Sequence, residues 1–144
     1  MNYETVIGIE IHCELKTKTK MFSGAPVAFG KVANTCVNEI DLGHPGCLPC
    51  VNKEAVRLAI KAATALHCEI DTLVRFDRKN YYYSDLPKGF QITQQFHPIG
   101  SGGWLEIETS QGKKKIRLNR MHMEEDTAKQ FPVSYTTSPS PRDS

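Results

Sequence analysis

Polar and apolar residues alternate strictly between residues 5 and 15. The apolar set is Ile7, Ile9, Ile11, Cys13 and Leu15, and Glu10, His12 and Glu14 lie between its members. A period of two places one set on each face of an extended chain, so the segment predicts a half-buried β-strand. Residues 21–50 are rich in Gly, Pro and Asn, which predicts loops with short extended pieces.

A helical period appears in residues 53–67. Apolar side chains recur there at helical spacing, at Val56, Ala59, Ile60, Ala63 and Leu66, and the basic residues Lys53, Arg57 and Lys61 share another face. Asn52 precedes this pattern and suits the N-cap, and Glu54 suits the first turn. The sequence therefore predicts an amphipathic helix.

Two further alternating segments, 104–108 and 116–123, flank the turn-forming residues 110–113 and predict a hairpin. The apolar parity changes within the second segment, which predicts a bulge near Asn119 or Arg120. We predict a folded unit over residues 1–129 and a disordered tail over residues 130–144, where Pro and Ser dominate. The predicted fold class is α+β, with a mixed, mainly antiparallel sheet and one packed helix.

The composition is that of an ordinary globular protein. The chain has 144 residues, of which 40% are hydrophobic and 24% charged, with a formal net charge of +2. These values exclude collagen-like and wholly disordered chains, and no window approaches the ~18 apolar residues of a membrane span. Five cysteines and an N-terminus without signal-peptide character indicate a reducing, cytoplasmic setting.

Two polar groups suggest a metal site. Glu10 and His12 share one face of the predicted strand, roughly 6.8 Å apart, and Glu124, Glu125 and Asp126 form a run of three carboxylates. Each group alone is equally consistent with a solvent-facing surface. On neighbouring strands they would form an oxygen-rich cup suited to Mg²⁺, which bridges phosphate oxygens in phosphoryl transfer.

Basic and aromatic residues interleave in residues 75–83, followed by Lys88 and Gln91. This pattern suits a single-stranded nucleic-acid end, with cations for phosphates and rings for bases. An aromatic strand with a solvated basic edge explains it as well. Five cations occur in residues 111–120 without an acidic residue: Lys113, Lys114, Lys115, Arg117 and Arg120. They indicate either a solvated hairpin tip or a phosphate contact.

Cys47 and Cys50 form a C-x-x-C pair shortly before the predicted helix. Such a pair is typical of thiol oxidoreductases. Together with Cys36, and with His44 as a fourth ligand, it would also suit zinc. The strand–helix context of the redox motif is missing here, so both readings stay alternatives.

Six groups of residues occur in a characteristic order, at 6–15, 22–26, 76–83, 85–88, 91–94 and 122–126. Together they resemble the N-terminal part of the B subunit of aspartyl/glutamyl-tRNA amidotransferases, over about residues 2–129. The resemblance implies the first part of that family's cradle domain.

It also implies a function and partners. Members of this family work with an amidase A subunit and a small C subunit on misacylated Glu-tRNA(Gln) or Asp-tRNA(Asn). The B subunit uses ATP to phosphorylate the side-chain carboxyl of the attached amino acid, and ammonia from the A subunit then displaces phosphate. The implied products are Gln-tRNA(Gln) or Asn-tRNA(Asn).

The resemblance implies roles for eight residues. Mg²⁺ would be held by Glu10, His12, Glu124 and Glu125, and ATP would lie against three of them, Glu10, His12 and Glu125. Asp77, Lys79, Tyr81 and Lys88 would line the ammonia path and the acceptor-end pocket. Glu10, His12, Glu124, Glu125, Lys79 and Lys88 are the implied catalytic set, in which a buried Lys79 or Lys88 of lowered pKa would relay a proton.

The chain also departs from the family pattern. Asn38 and Asp41 stand where many members carry a C-x-x-C metal pair, and the family chain continues long after the acidic motif. We therefore expect this chain to be a fragment that is inactive alone. The alternative is a non-catalytic RNA-binding or scaffold fragment that uses residues 75–95 and the basic tip.

Overall fold

The structure is a computed structural model that describes residues 3–28, 30–82 and 88–126. The predicted tail, residues 130–144, lies outside the described residues, as does the boundary at residue 129. In the described part, one helix accompanies small antiparallel sheets, which agrees with the α+β class. No helix of that part is long and apolar enough to cross a membrane.

Helix α1 spans Lys53–Ala65 and begins as predicted at Asn52. The Asn52 Oδ1 accepts hydrogen bonds from the backbone N–H groups of Glu54 (2.9 Å) and Ala55 (3.4 Å). Its Nδ2 donates to the Thr19 side chain at 2.9 Å, which ties the preceding loop to the helix start. The buried row of α1 is Ala55, Ala59 and Ala63, whereas Ile60 of the predicted stripe is exposed. Because alanine is small, neighbouring backbone can approach this face of α1 more closely than it could approach a face that includes Ile60.

The predicted N-terminal strand is wrong for the described residues. Residues 5–15 belong to neither a helix nor a strand, and they form no ladder with another described segment. Ile7, Ile9 and Ile11 are 78%, 82% and 88% exposed instead of half-buried. A strand exists only with a hydrogen-bonded partner, and alternation in the sequence does not reveal whether that partner is present.

Seven short strands form three antiparallel sheets. The first sheet orders β1 (Glu69–Ile70), β4 (Gly100–Ser101) and β7 (Arg120–Met121); the second pairs β2 (Asp77–Asn80) with β3 (Phe90–Thr93); the third pairs β5 (Trp104–Thr109) with β6 (Gly112–Arg117). Every pairing among the described residues is antiparallel, so the mixed component of the predicted sheet is absent there. The acidic run begins at Glu124, after the two residues that follow β7.

The β5–β6 hairpin is confirmed, with a tighter turn than predicted. Only residues 110 and 111 connect the strands, and Gly112 follows with φ 107°, a conformation that favours glycine. The predicted bulge is wrong. The chain leaves the hairpin after Arg117 and joins a different sheet at Arg120, so the change of parity marks a change of partner strand.

The core lies between α1 and the segments just before β4 and just after β7. Its buried members are Ala55, Ala59, Ile99 and Met123, and Leu15, Met21, Val56, Phe76 and Met121 pack against them. A polar side chain, Gln94, is also buried within it, at 1% exposure. Its Oε1 accepts the backbone N–H groups of Ile99 (3.2 Å) and Met123 (3.0 Å), and its Nε2 donates to Arg75 O. Gln94 thus fixes the start of the acidic run to the core.

The base of the hairpin is joined closely to the end of α1. The Trp104 N–H donates to Leu66 O at 2.8 Å. A Cβ placed on Gly103 would lie 2.7 Å from the same Leu66 O and would collide with the Cys68 Sγ. Only glycine therefore permits this approach.

Candidate functional site

The acidic run is fastened to strand β3 through Glu125. The Glu125 N–H donates to Ile92 O at 3.0 Å, and the Ile92 N–H donates back to the Glu125 Oε1 at 2.9 Å. The Gln91 Nε2 donates to Glu125 O at 2.8 Å. Both the backbone and the side chain of Glu125 are therefore fixed before any ligand is considered.

Glu125 also forms a nearly buried ion pair with Lys88. The Lys88 Nζ lies 2.5 Å from one carboxylate oxygen and 2.6 Å from the other. The two side chains are only 9% and 16% exposed. Charge-assisted bonds in such a setting are strong, because little water competes for either group.

Glu124 lies between two imidazoles. Its Oε1 is 3.5 Å from the His12 Nδ1, and its Oε2 is 3.4 Å from the His122 Nε2. The Thr93 hydroxyl donates to the Oε2 at 3.5 Å. The hydrogen bond from His122, with the nearby charges of His122, His12 and Lys79, lowers the pKa of Glu124 although partial burial opposes the shift. The first described segment and the last thus meet at the Glu124 carboxylate. We call Glu124, His12 and His122 the Glu124 cluster.

Lys79 lies opposite Gln91 in the β2–β3 ladder. Its Nζ lies 5.2 Å from the centroid of the Tyr81 ring. A hydrogen bond to Tyr81, with attraction from Glu124 and Glu10, raises the pKa of Lys79. Lys79 is exposed as well, so the condition for a proton relay, a buried lysine of lowered pKa, is not met there. It is a fixed positive charge beside the Glu124 cluster.

Asp77 and Tyr81 make contacts within the domain. The Asp77 Oδ2 accepts the backbone N–H groups of Gln95 (2.7 Å) and Phe96 (2.9 Å), so this carboxylate stabilises the turn after β3. The Tyr81 hydroxyl donates to the Gln91 Oε1 at 3.3 Å. Asp77 and Lys79 lie two residues apart in β2 and so share one face of the strand.

The donor atoms of this region suit a hard divalent cation, but the structure does not bring the four expected ligands together. Carboxylate oxygens and imidazole nitrogens bind such ions. Glu124 lies near His12, whereas Glu125 is engaged by Lys88. Within residues 3–28, 30–82 and 88–126, no group of three or more His, Cys, Asp or Glu side chains is arranged to hold a metal. A cation bound by both glutamates would have to displace Lys88.

The residues proposed for a redox or zinc site, the two alternatives based on cysteine, do not form such a site either. Cys36 and Cys47 are partly buried and Cys50 is exposed, and all three are free thiols. Cys36, His44, Cys47 and Cys50 all lie in the described ranges, and there they form no group that could hold a zinc ion.

Acid should remove the contribution of Glu124 to stability. A carboxyl whose folded-state pKa lies below its ordinary 4.5 stabilises the fold above that value, and this contribution is lost as the pH falls through the lowered pKa. The difference in unfolding free energy between wild type and Glu124→Gln should thus shrink as the pH falls from about 5 toward about 3. Urea unfolding across this range measures it. The variant Glu108→Gln, at an exposed position of β5, should show no such trend.

Sequence reasoning missed three contributors to the region. The sequence pattern places His122 in the acidic motif without indicating its contact with Glu124, and it does not indicate that Gln91 and Thr93 contact the acidic run. Gln91 and Thr93 are each 4% exposed, although they belong to a short strand with one aliphatic residue, Ile92. Buried amides and hydroxyls in a strand are unusual, and the alternation rule does not single them out.

Comparison with known sequences places the chain in a class of catalytic domains. Residues 5–140 match the family model described as the GatB/GatE catalytic domain. The chain is 61% identical over 130 residues to the B subunit of the aspartyl/glutamyl-tRNA(Asn/Gln) amidotransferase of Mycoplasmopsis agalactiae, covering 90% of this chain and 28% of that protein.

Two further relatives carry the same name. The protein of Mycoplasma mobile is 62% identical over 135 residues, which cover 94% of this chain and 28% of the relative. That of Geobacillus thermodenitrificans is 58% identical over 129 residues, which cover 90% of this chain and 27% of the relative. The chain thus spans little more than a quarter of the length of these relatives. It belongs to the GatB/GatE catalytic domain family.

Proposed function

We propose that the chain contributes the Glu124 cluster and the Lys88–Glu125 pair to the activating site of a tRNA-dependent amidotransferase. In this reaction a carboxylate oxygen of the amino acid on Glu-tRNA(Gln) or Asp-tRNA(Asn) attacks the γ-phosphorus of ATP, and ADP leaves. Ammonia then attacks the acyl carbon, and inorganic phosphate leaves. The observation that supports the proposal is the meeting of His12 with Glu124 at 3.5 Å beside a second glutamate paired with a lysine.

The chemistry explains why such a cluster is useful. A carboxylate is a poor acyl donor, and converting it to an acyl phosphate supplies a leaving group. When bound, Mg·ATP would supply the phosphoryl group and neutralise the charge that develops on it. Glu124, His12, Glu10 and Glu125 are the residues that would hold the cation.

The lysines of this chain have different roles in the proposal. Lys79 is exposed, and electrostatic attraction from the nearby Glu124 and Glu10 contributes to its raised pKa. It would contribute a permanent positive charge toward phosphate oxygens. Lys88 engages both carboxylate oxygens of Glu125, so Glu125 would have to exchange this partner to hold a cation. Asp77 and Tyr81 stabilise the strand face from which Lys79 projects.

Partners and location complete the proposal. The amidase A subunit would supply ammonia and the small C subunit would complete the assembly, in the cytoplasm. The chain would form the first part of the cradle domain and would be inactive alone. A fragment that binds RNA without nucleotide chemistry is the second candidate, which the exposed basic hairpin favours.

A chimaera tests the proposal. Residues 5–129 of this chain would replace the matching segment of the Geobacillus thermodenitrificans protein, which is 58% identical, and be assembled with that organism's A and C subunits. We expect ATP-dependent formation of Gln-tRNA(Gln) or Asn-tRNA(Asn), measured by separating the aminoacyl products. Glu124→Ala in the chimaera should lower the rate by about 100-fold or more.

A matched carboxylate controls for charge. Glu69→Ala removes an exposed acid from β1, outside the Glu124 cluster, and should leave the rate within about twofold. A chimaera that turns over normally with Glu124→Ala would contradict the role of the cluster. A well-folded chimaera without any ATP-dependent product would contradict the proposed function as a whole.

A further inference from the structure

A loop formed by residues 38–44, which we call the Asp41 loop, is closed by its own hydrogen bonds. The Asn38 Oδ1 accepts the backbone N–H groups of Ile40 (3.0 Å) and Asp41 (3.2 Å). The Asp41 Oδ2 accepts the backbone N–H of Asn38 at 3.0 Å, and the Gly43 N–H donates to Ile40 O at 3.1 Å. Because these bonds fix the shape of the loop, its position depends on the contacts that attach it to neighbouring segments.

The Asp41 carboxylate attaches the loop to the segment that precedes helix α1. The buried Ser23 hydroxyl donates to this carboxylate and lies 3.0 and 3.1 Å from its two oxygens. The Lys20 Nζ lies 3.2 Å from the Asp41 Oδ1. The backbone N–H of Asn52, the N-cap of α1, donates to Met21 O at 2.7 Å, so the same segment is joined to the start of the helix. The Asp41 side chain is only 18% exposed, and little water therefore competes for its bonds.

The Asp41 loop also contacts Lys88, through Gly43. A Cβ placed on Gly43 would lie 3.1 Å from the Lys88 Cγ and 3.3 Å from the Lys88 Cα, which leaves little room for a side chain beside the lysine stem. The φ of Gly43 is 69°, which also favours glycine. At the other end of the stem, the Lys88 Nζ bonds both carboxylate oxygens of Glu125. The backbone of the loop thus forms a wall beside the lysine that holds Glu125.

The position of the Lys88 stem affects how well its ammonium reaches Glu125. Lysine has a flexible four-carbon stem, and an ion pair that must restrict this stem loses conformational entropy. Packing of the methylene groups against Gly43 restricts the stem before the pair forms. A shift of the Asp41 loop would therefore loosen the ion pair without changing either charged group.

We propose that Asp41 is a positioning residue for the Lys88–Glu125 pair. By fastening the loop to Ser23, Asp41 holds Gly43 against the Lys88 stem and thereby keeps the ammonium on both carboxylate oxygens. The inference rests on the proposed function only in assigning the pair to the activating reaction. Its structural part requires neither ATP nor tRNA.

Hydrogen exchange between the Lys88 ammonium and water, followed by ¹⁵N NMR on the 144-residue chain, tests the proposal. In wild type this ammonium should exchange at least about tenfold more slowly than that of the exposed Lys61. Asp41→Ala should raise the Lys88 rate by about tenfold or more. Asp41→Asn retains an acceptor for the Ser23 hydroxyl, and the lost pair with the partly exposed Lys20 contributes little, so the rise should stay below about threefold.

Two glycine variants test the contact itself. Gly43→Ala places a methyl group against the Lys88 stem and should raise the exchange rate of the ammonium by about fivefold or more. Gly46→Ala is the matched control, because Gly46 also has a positive φ, 84°, but a Cβ there meets nothing within 4 Å. It should change the rate by less than about twofold. The backbone amides of Ile99 and Met123 report on opening of the core, and a rise in their exchange equal to that of Lys88 would overturn the proposal.

Three further outcomes would overturn the proposal. They are an unchanged Lys88 rate in Asp41→Ala, an equal rise in Gly43→Ala and Gly46→Ala, and a wild-type Lys88 ammonium that exchanges as fast as that of Lys61. If Asp41→Ala does not fold, Asp41→Asn and the two glycine variants decide the question.

The chimaera separates this proposal from the proposed function. Asp41→Ala in the chimaera should lower the rate of ATP-dependent product formation by about tenfold, and Asp41→Asn by less than about threefold. Lys88 exchange that depends on Asp41 and Gly43, combined with an inactive chimaera, would support the positioning and contradict the amidotransferase role. An active chimaera with Lys88 exchange that ignores both substitutions would do the reverse. A rate that Asp41→Ala leaves unchanged in an active chimaera would contradict the use of the positioned pair in the reaction.

Discussion

Replacing Glu125 with alanine is expected to destabilise the domain by about 3–5 kcal/mol. The change would leave the Lys88 ammonium, whose side chain is 9% exposed, without its carboxylate, and the Ile92 N–H without its side-chain acceptor. An uncompensated, nearly buried charge costs far more than the lost attraction alone. Urea unfolding followed by fluorescence of Trp104, the single tryptophan, measures the loss.

A double-mutant cycle separates the pair from its surroundings. Lys88→Met/Glu125→Met replaces both charges by apolar groups of similar length, and it should cost clearly less than the sum of the two single changes. If Glu125→Ala does not fold, Glu125→Gln retains the shape and gives a smaller loss in the same direction. Strictly additive losses in the cycle would contradict a coupled ion pair.

Substitution of the exposed isoleucines is expected to abolish self-association of the 144-residue chain. Ile7, Ile9 and Ile11 are at least 78% exposed on a segment without a ladder partner among the described residues, and an unpaired segment of alternating apolar residues can form a strand with another chain. Burying each isoleucine would contribute about 1.5–3 kcal/mol. Ile9→Lys/Ile11→Lys should therefore raise the dissociation constant of the self-associated form by about 100-fold or more. Sedimentation velocity over a range of concentrations measures it.

A matched variant controls for the added charge. Leu73→Lys/Phe96→Lys places two lysines at other exposed apolar positions, 61% and 75% exposed, and should leave self-association within about threefold of wild type. A wild-type chain that stays monomeric at the highest concentrations would contradict the prediction. So would equal dissociation caused by both pairs.

The elements that could be predicted from the sequence are those that local rules determine. Asn52 caps α1 because its side chain reaches two N–H groups of the same helix, and the β5–β6 hairpin closes over a short turn. These interactions join residues close in sequence. The prediction of an N-terminal strand was wrong for the opposite reason, because a strand needs a hydrogen-bonded partner that lies far away in the sequence.

In the candidate site, too, the features that depend on contacts between distant residues could not be predicted from the sequence. His12 lies near Glu124 although 112 positions separate them in the numbering, but neither residue belongs to a strand, and the metal site expected from the two polar motifs stays a prediction. The engagement of Glu125 by Lys88, and the clamp that buried Gln94 forms, depend on how loops pack, and neither residue type nor spacing encodes this packing. The raised pKa of Lys79 likewise follows from its tertiary neighbours Tyr81, Glu124 and Glu10.

The contact at Gly103 has a mechanical consequence. The hairpin base meets the end of α1 without space for a side chain, so a rotation between the two would have to break the Trp104–Leu66 hydrogen bond or open this contact. The helix is 13 residues long, so it acts as a rigid lever of about 20 Å. Its far end is tied through Asn52 to Thr19, on the segment that carries His12. A continuous series of contacts thus connects the hairpin base, α1 and the segment that carries His12.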